Sequence, residues 1–188
     1  MACGSSAIAR YWPLAVSLLA MSCASTSRVP DFLSREYFTS KDGLVRYRLP
    51  LGWLNASDDP PSSSDIIWLV RDDFAATISM KEVVVDEQTR REIDRSGLGR
   101  IAELTLALVS GERGVNVVNP PVSGWSHGMR VCRYEYATGS SSDTASVILI
   151  DNGEKVYEVR LLMTDKIGSN AAGDVLAVQQ HFVDGLSL

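Results

Sequence analysis

Cysteine is scarce in this chain. Its 188 residues hold three, at positions 3, 23 and 132, and only two histidines, His127 and His181. No Cys-x-x-Cys or His-x-x-x-His pair occurs, so the spacing of a zinc site is missing. The aspartate groups Asp58-Asp59 with Asp65, and Asp72-Asp73, lack the glycine and terminal Glu of a calcium loop, and read as solvated turns. Gly97-Leu-Gly99 has neither the third glycine nor the lysine of a phosphate-cradling loop. Positive charge is short as well. Eighteen Lys and Arg against 23 Asp and Glu give a formal charge of −5. A nucleic-acid partner needs a basic face, and docking to anionic lipid needs basic clusters. Arg90-Arg91, Arg95 and Arg100 are interleaved with Glu87, Glu92 and Asp94, which makes a solvated helix face instead. No metal, cofactor or nucleic-acid partner is therefore expected. Nor is there an apolar run of the roughly 20 residues that a spanning helix needs.

What the chain does have is a shorter apolar run, Tyr11 to Ser22, twelve residues without a charge. Its length fits the core of a secretory signal, with Arg10 and the chain's own amine as the preceding positive charge. The run ends at Cys23, and Ala24-Ser-Thr-Ser27 after it are small and polar. Ala20-Met-Ser-Cys23, with Leu18-Leu19 upstream, resembles the lipobox of bacterial lipoproteins. The resemblance implies lipidation at Cys23: its sulfur would take a diacylglycerol, residues 1–22 would leave as a signal peptide, and the new amine would take an acyl chain such as palmitate. Several acyl chains hold a protein where one anchors only marginally. Ser25 stands where enterobacterial lipoproteins retained at the inner membrane carry Asp, so the resemblance favours the outer membrane, facing the periplasm.

Loss of residues 1–22, which carry Arg10 and no acid, leaves 166 residues with a charge of about −6. That is one domain by the usual length prior. With Cys3 removed and Cys23 lipidated, Cys132 has no partner for an intramolecular disulfide. It reads as a buried small hydrophobe, and stability has to come from the core. Residues 23–37 read as the lipidated N-terminus and a tether, with Phe32, Leu33, Tyr37 and Phe38 as first contacts with a domain spanning 38–188.

Within that domain Val45, Tyr47 and Leu49 alternate with Arg46 and Arg48, the period of a half-buried strand. Pro50 and Gly52 end it. Asp65 to Val70 is a short apolar strand expected to be covered on both sides. Asp72-Asp73 turns into a strand over 74–85, with Ala76, Ile78 and Met80 inward. Leu98, Ile101, Thr105, Leu108 and Val109 recur at helical spacing, with the start near Thr89 or after Gly97. A short strand over 115–118 should break at Asn119-Pro-Pro121, and 129–136 forms the next. Asn152-Gly153 joins strands over 145–150 and 155–163 as a hairpin. A last helix runs from about Ala171 to Leu186, capped by Ser169 or Asn170, with Val175, Gln179, Phe182 and Val183 on one stripe.

The expected fold is α+β, a single antiparallel sheet of six to seven strands with two packed helices. Its element order, together with the Pro50-Leu-Gly-Trp53 turn, resembles the Mog1/PsbP/DcrB-like domains over roughly residues 38–186. The resemblance implies an α/β/α sandwich acting as a binding or assembly module, with Trp53 in the core and no catalytic residue carried over.

One enzymatic motif competes with this. Gly124-Trp-Ser-His-Gly128 fits the G-x-S-x-G nucleophile elbow, with Ser126 as nucleophile and His181 as base. The elbow needs a strand before it and a helix after it. Here a proline-rich loop precedes the motif and an alternating strand comes after it, so a serine hydrolase is the alternative and not the expectation. The expected function is a lipid-anchored, non-catalytic module of the bacterial envelope that binds a protein or a small hydrophobic ligand.

Overall fold

The computed structural model describes residues 32–113, 115–138 and 143–188. The signal segment, Cys23 and most of the tether lie outside the described residues. Strands β1 (Leu33–Thr39), β2 (Arg46–Pro50), β3 (Trp53–Asn55), β4 (Asp65–Arg71) and β5 (Ala76–Val83) come first. Helices α1 (Glu87–Ser96) and α2 (Gly99–Arg113) come next, then β6 (Val115–Ser126), β7 (Met129–Thr138), β8 (Thr144–Asp151), β9 (Val156–Met163) and α3 (Ser169–Asp184).

Seven strands form one sheet in the order β3-β4-β5-β9-β8-β7-β6, and β1 with β2 form a separate two-stranded sheet. Every neighbouring pair is antiparallel. Helices α1 and α2 carry the chain from β5 in the middle to β6 at the far edge. The chain then meanders back until β9 pairs with β5 over eight residues, from Ala76↔Met163 to Val83↔Val156.

The two faces carry separate cores. On one, Ile78, Met80, Val159 and Leu161 pack with Val175, Phe182 and Val183 of α3, with Tyr47 of β2 and with Val45 just before that strand. On the other, Cys132, Tyr134, Val147 and Leu149 pack with Ile93 of α1 and with Leu98, Ala102 and Leu106 around α2. This is the expected α/β/α sandwich. Ala76, Ile78 and Met80 face one core as the alternation requires, and Trp53 is buried.

Five local expectations need correction. The helical pattern resolves into two helices. Gly97, at φ 78, ends α1 by donating its N–H to Ile93 O, and Asp86 caps α1 by accepting from Thr89 N at 2.7 Å. Strand β6 runs through Asn119-Pro-Pro121 without breaking. An edge strand tolerates proline because one side of its ladder needs no N–H, and the register slips by one residue between Asn119 and Val122 to absorb the pair. Strand β4 is covered unevenly and not fully on both sides: Ile67 and Leu69 are buried on one face, while on the other Val70 is buried and Ile66 and Trp68 are half-buried. The cap of α3 is Gly168, which has no side chain to bond, in place of Ser169 or Asn170. Finally, β1 begins at Leu33, inside the segment read as tether. Leu33 is buried there, while Tyr37 is exposed beneath the Arg46 guanidinium.

The Asn152-Gly153 hairpin forms, with Gly153 at φ 95 in a four-residue loop closed by the Asp151↔Val156 pair. The Asp151 side chain has no solvent exposure. Arg90 of α1 donates to its Oδ1 at 2.7 Å, Arg130 Nε of β7 lies 3.0 Å from its Oδ2, and Gly153 N donates to Oδ1 at 3.0 Å. Arg130 also donates to Ile93 O and Asp94, and Arg90 to Glu154 O, so one carboxylate fastens α1 to two strands. Removing one partner of a buried ion pair leaves the other charges uncompensated, which costs about 3–5 kcal/mol. Asp151→Asn should therefore lower the thermal midpoint, by roughly 6–20 °C at 2–4 °C per kcal/mol for a domain of this size. Thermal unfolding followed by circular dichroism measures it, and an unchanged midpoint would show that the carboxylate does not hold α1 in place.

Candidate functional site

Cys23, the residue with the most defined expected chemistry, lies outside the described residues. The Ser126 motif is fully described. It is a β-hairpin tip: Ser126 pairs with Met129, and the two residues between them, His127 at φ 49 and Gly128 at φ 81, both take positive φ. Such a two-residue turn matches strand twist, and the chain continues into strand β7, where a nucleophile elbow needs a helix. The Ser126 hydroxyl donates to Asp184 Oδ1 at 3.1 Å. Gln180 donates to the same oxygen at 2.8 Å, and His127 Nε2 lies 3.6 Å from it. His181 stacks its ring on Phe32, centroids 4.7 Å apart. The residues around Ser126 thus pin the β6–β7 hairpin to the end of α3. The hydroxyl that a hydrolase would hand to an imidazole goes to a carboxylate.

Cys132 is a free, fully buried cysteine in the core beneath α2. Burial pushes its thiol up, against a smaller opposing effect of the Ser123 hydroxyl. Among the described residues no three His, Cys, Asp or Glu converge on a metal position, and no helix is long and apolar enough to cross a membrane.

Two hollows remain. One, of about 520 Å³, lies between the outer sides of α1 and α2 and is lined by Asp86, Glu92, Arg100 and Leu104. The other, of about 260 Å³, is a groove between α3 and the β6–β7 edge of the sheet. It exists because α3 packs over β2 and β9, which leaves the β6–β7 strip of that face uncapped. Ile148 and Leu176 form its apolar floor. Asn119, Pro120 and Val122 form its outer wall, at the point where the β6 register slips. Arg133 and Glu135 stand on β7, and Ser146 and Gln179 complete the lining. Asn119 Nδ2 donates to the Glu135 carboxylate. Gln179 is 1% exposed and donates both of its amide hydrogens, to Ser146 O at 3.0 Å and Val159 O at 3.2 Å. The sequence contained a signal for this place. Gln179 sits within an otherwise apolar helical stripe, and a polar group buried there must be hydrogen-bonded. Its partners are strand carbonyls that no helix pattern reveals.

The edge beside the groove is apolar and open. Val122 is 65% exposed and Trp125 72%. At the opposite end of the sheet β3 is only three residues long, and the part of β4 it leaves uncovered is protected: Trp68 N donates to Ser57 Oγ, Ala56 N to Trp68 O, and Lys41 N to Ile66 O. Long unprotected edges are where sheets meet partners.

No protein-family profile and no curated protein matches this chain in sequence. Solved structures match in fold. CyanoP, the cyanobacterial PsbP of Synechocystis, aligns with a TM-score of 0.52 at 13% identity, over 81% of this chain and 91% of its own. The Ran-binding protein Mog1p of Saccharomyces cerevisiae aligns at 0.55 and 11% identity, over 82% and 95%. LpqN of Mycobacterium tuberculosis, involved in cell envelope biogenesis, aligns at 0.50 and 11% identity, over 76% and 82%. The fold is therefore Mog1/PsbP-like.

Burial decides the behaviour of Cys132. In the native protein it should resist a thiol reagent such as 5,5′-dithiobis(2-nitrobenzoate), and react once guanidinium unfolds the domain, with the site identified by peptide mass. Prompt labelling in the native state would contradict the packing described.

Proposed function

We propose that this protein is a lipid-anchored bacterial envelope protein, a non-catalytic binding or assembly module on the periplasmic side, held at the outer membrane through acyl chains on Cys23. The observation that carries the reading is Ala20-Met-Ser-Cys23 at the end of a twelve-residue uncharged run. In this reading residues 1–22 are the signal peptide, the lipidated start and tether run from Cys23 to the beginning of β1 at Leu33, and the domain follows from there. The fold supports a binding role, since it is shared with a protein described as Ran-binding and with one involved in cell envelope biogenesis. So does the groove beside an exposed apolar edge, which supplies a place for an envelope protein or a small hydrophobic ligand. The Ser126 hydroxyl, engaged by Asp184 on a hairpin tip, lends no support to hydrolysis.

Replacing Cys23 by Ser tests the anchor. The wild-type chain should fractionate with membranes and incorporate labelled palmitate. Cys23→Ser should lose the label, migrate more slowly as the unprocessed form, and be absent from the lipid-modified pool. Equal labelling and unchanged mobility of the two proteins would overturn the lipoprotein reading.

A further inference from the structure

The groove between α3 and the β6–β7 edge offers three polar groups that the fold leaves open. Gln179 uses both amide hydrogens on Ser146 O and Val159 O. Its carbonyl oxygen accepts from no described residue, although the side chain is almost wholly buried and lines the groove. The Ser146 hydroxyl, on a residue 6% exposed, has no partner among the described residues either. Arg133, at the mouth, forms no ion pair or hydrogen bond with any described residue, whereas its neighbour Glu135 is held by Asn119. Below these groups lie Ile148 and Leu176, with Pro120 and Val122 closing the outer side.

This is the complement of one kind of ligand. A group that binds here carries an anion for the guanidinium, an N–H donor for the Gln179 carbonyl, and an apolar body of limited size. Arginine pairs with carboxylates in a bidentate fork, and such charge-assisted bonds are the strong ones. The volume, about 260 Å³, falls just below the roughly 300–1,000 Å³ typical of drug-sized ligands, which matches a single residue. Glu135 shares the groove, and its carboxylate disfavours a second anion on the ligand. We infer that this groove binds the C-terminal residue of a partner polypeptide: its free carboxylate on Arg133, its backbone N–H on the Gln179 carbonyl, and an apolar side chain on Ile148 and Leu176. The inference rests on the binding-module reading and names the partner chemistry of that module.

The test uses the full chain extracted in mild detergent and fluorescence anisotropy of an N-terminally labelled peptide, Ala-Ala-Ala-Leu. Three peptides are compared: the free acid, its C-terminal amide, and a free acid ending in Gly. The free Leu acid should bind at least tenfold more tightly than either of the others. Arg133→Gln, at an exposed position, should weaken the Leu acid at least tenfold with an unchanged melting curve, and should leave the amide unaffected. Leu176→Glu should weaken all three. Equal binding of acid and amide, unchanged binding by Arg133→Gln, or no binding of the acid at millimolar concentration each overturns the inference. So does octanoate binding tenfold more tightly than the peptide, which would make the ligand a fatty acid. Cys23→Ser leaves the groove intact. Failure of the peptide with palmitate labelling of Cys23 intact therefore overturns this inference alone, and failure of labelling with peptide binding intact overturns only the anchor.

Discussion

The eight-residue pairing of β5 with β9 holds this domain together. The two strands are about 80 residues apart in sequence, and each belongs to a different meander. Where they meet, the N-terminal ladder β3-β4-β5 and the C-terminal ladder β6-β7-β8-β9 become one sheet. That pairing gives the sheet two faces wide enough to need covering, and each face acquires its own core. It also dictates the crossover. If β9 is to lie beside β5, the chain leaving β5 must first travel to the far edge, and α1 and α2 are the path. Long-range pairing of this kind is entropically expensive to close and is rewarded only when both halves are in place.

The groove is a consequence of the same arrangement. Helix α3 returns from β9 and packs on the strands nearest to it, so its cover ends before β7 and β6. A second constraint keeps the uncovered strip from collapsing. The adjacent prolines Pro120 and Pro121 cannot complete a ladder, the register slips there, and the residues of the slip become the groove's outer wall. The hairpin tip fixes the other end, through Ser126, Gln180 and His127 around Asp184. A rigid rim around a mixed polar and apolar floor is what a recognition site needs, because rotamers locked by packing do not have to be ordered on binding.

The buried polar groups sort by how they are compensated. Asp151 is met by two arginines, and Glu158, nearly buried, lies 3.2 Å from Lys81. Asp65 is different. One carboxylate oxygen has no partner, and burial raises its pKa despite the opposing charges of Arg160 and Lys81. Its folded pKa therefore lies above its unfolded one. Ionised Asp65 opposes folding at neutral pH, and that opposition fades as pH falls through its folded pKa.

Strand alternation in β2 and β5 and the Asn152-Gly153 hairpin were legible in the residues, because each rests on local periodicity or turn chemistry, which the chain carries with it wherever it folds. The burial of Cys132 followed from its residue type, and the α/β/α class and the buried Trp53 were implied by the family resemblance. The division of the first helix was half visible, since the weakness at Gly97 was plain but not its φ of 78. The continuity of β6 through two prolines was not, because proline is admitted by an edge strand and excluded from a central one, and edge position is a property of the sheet. The Gly-x-Ser-x-Gly motif was ambiguous for the same reason: the residues permit an elbow or a hairpin, and pairing of β6 with β7 selects the hairpin. Composition and the apolar run by themselves excluded metal-ligand spacing and a spanning helix, and singled out Cys23. Only the tertiary structure decided that Gln179 would line a groove with its amide nitrogen held by two strand carbonyls, and that Arg133 would stand there with no partner among the described residues. A side chain's partners come from strands and helices distant in sequence, and no local pattern encodes which of them will be near.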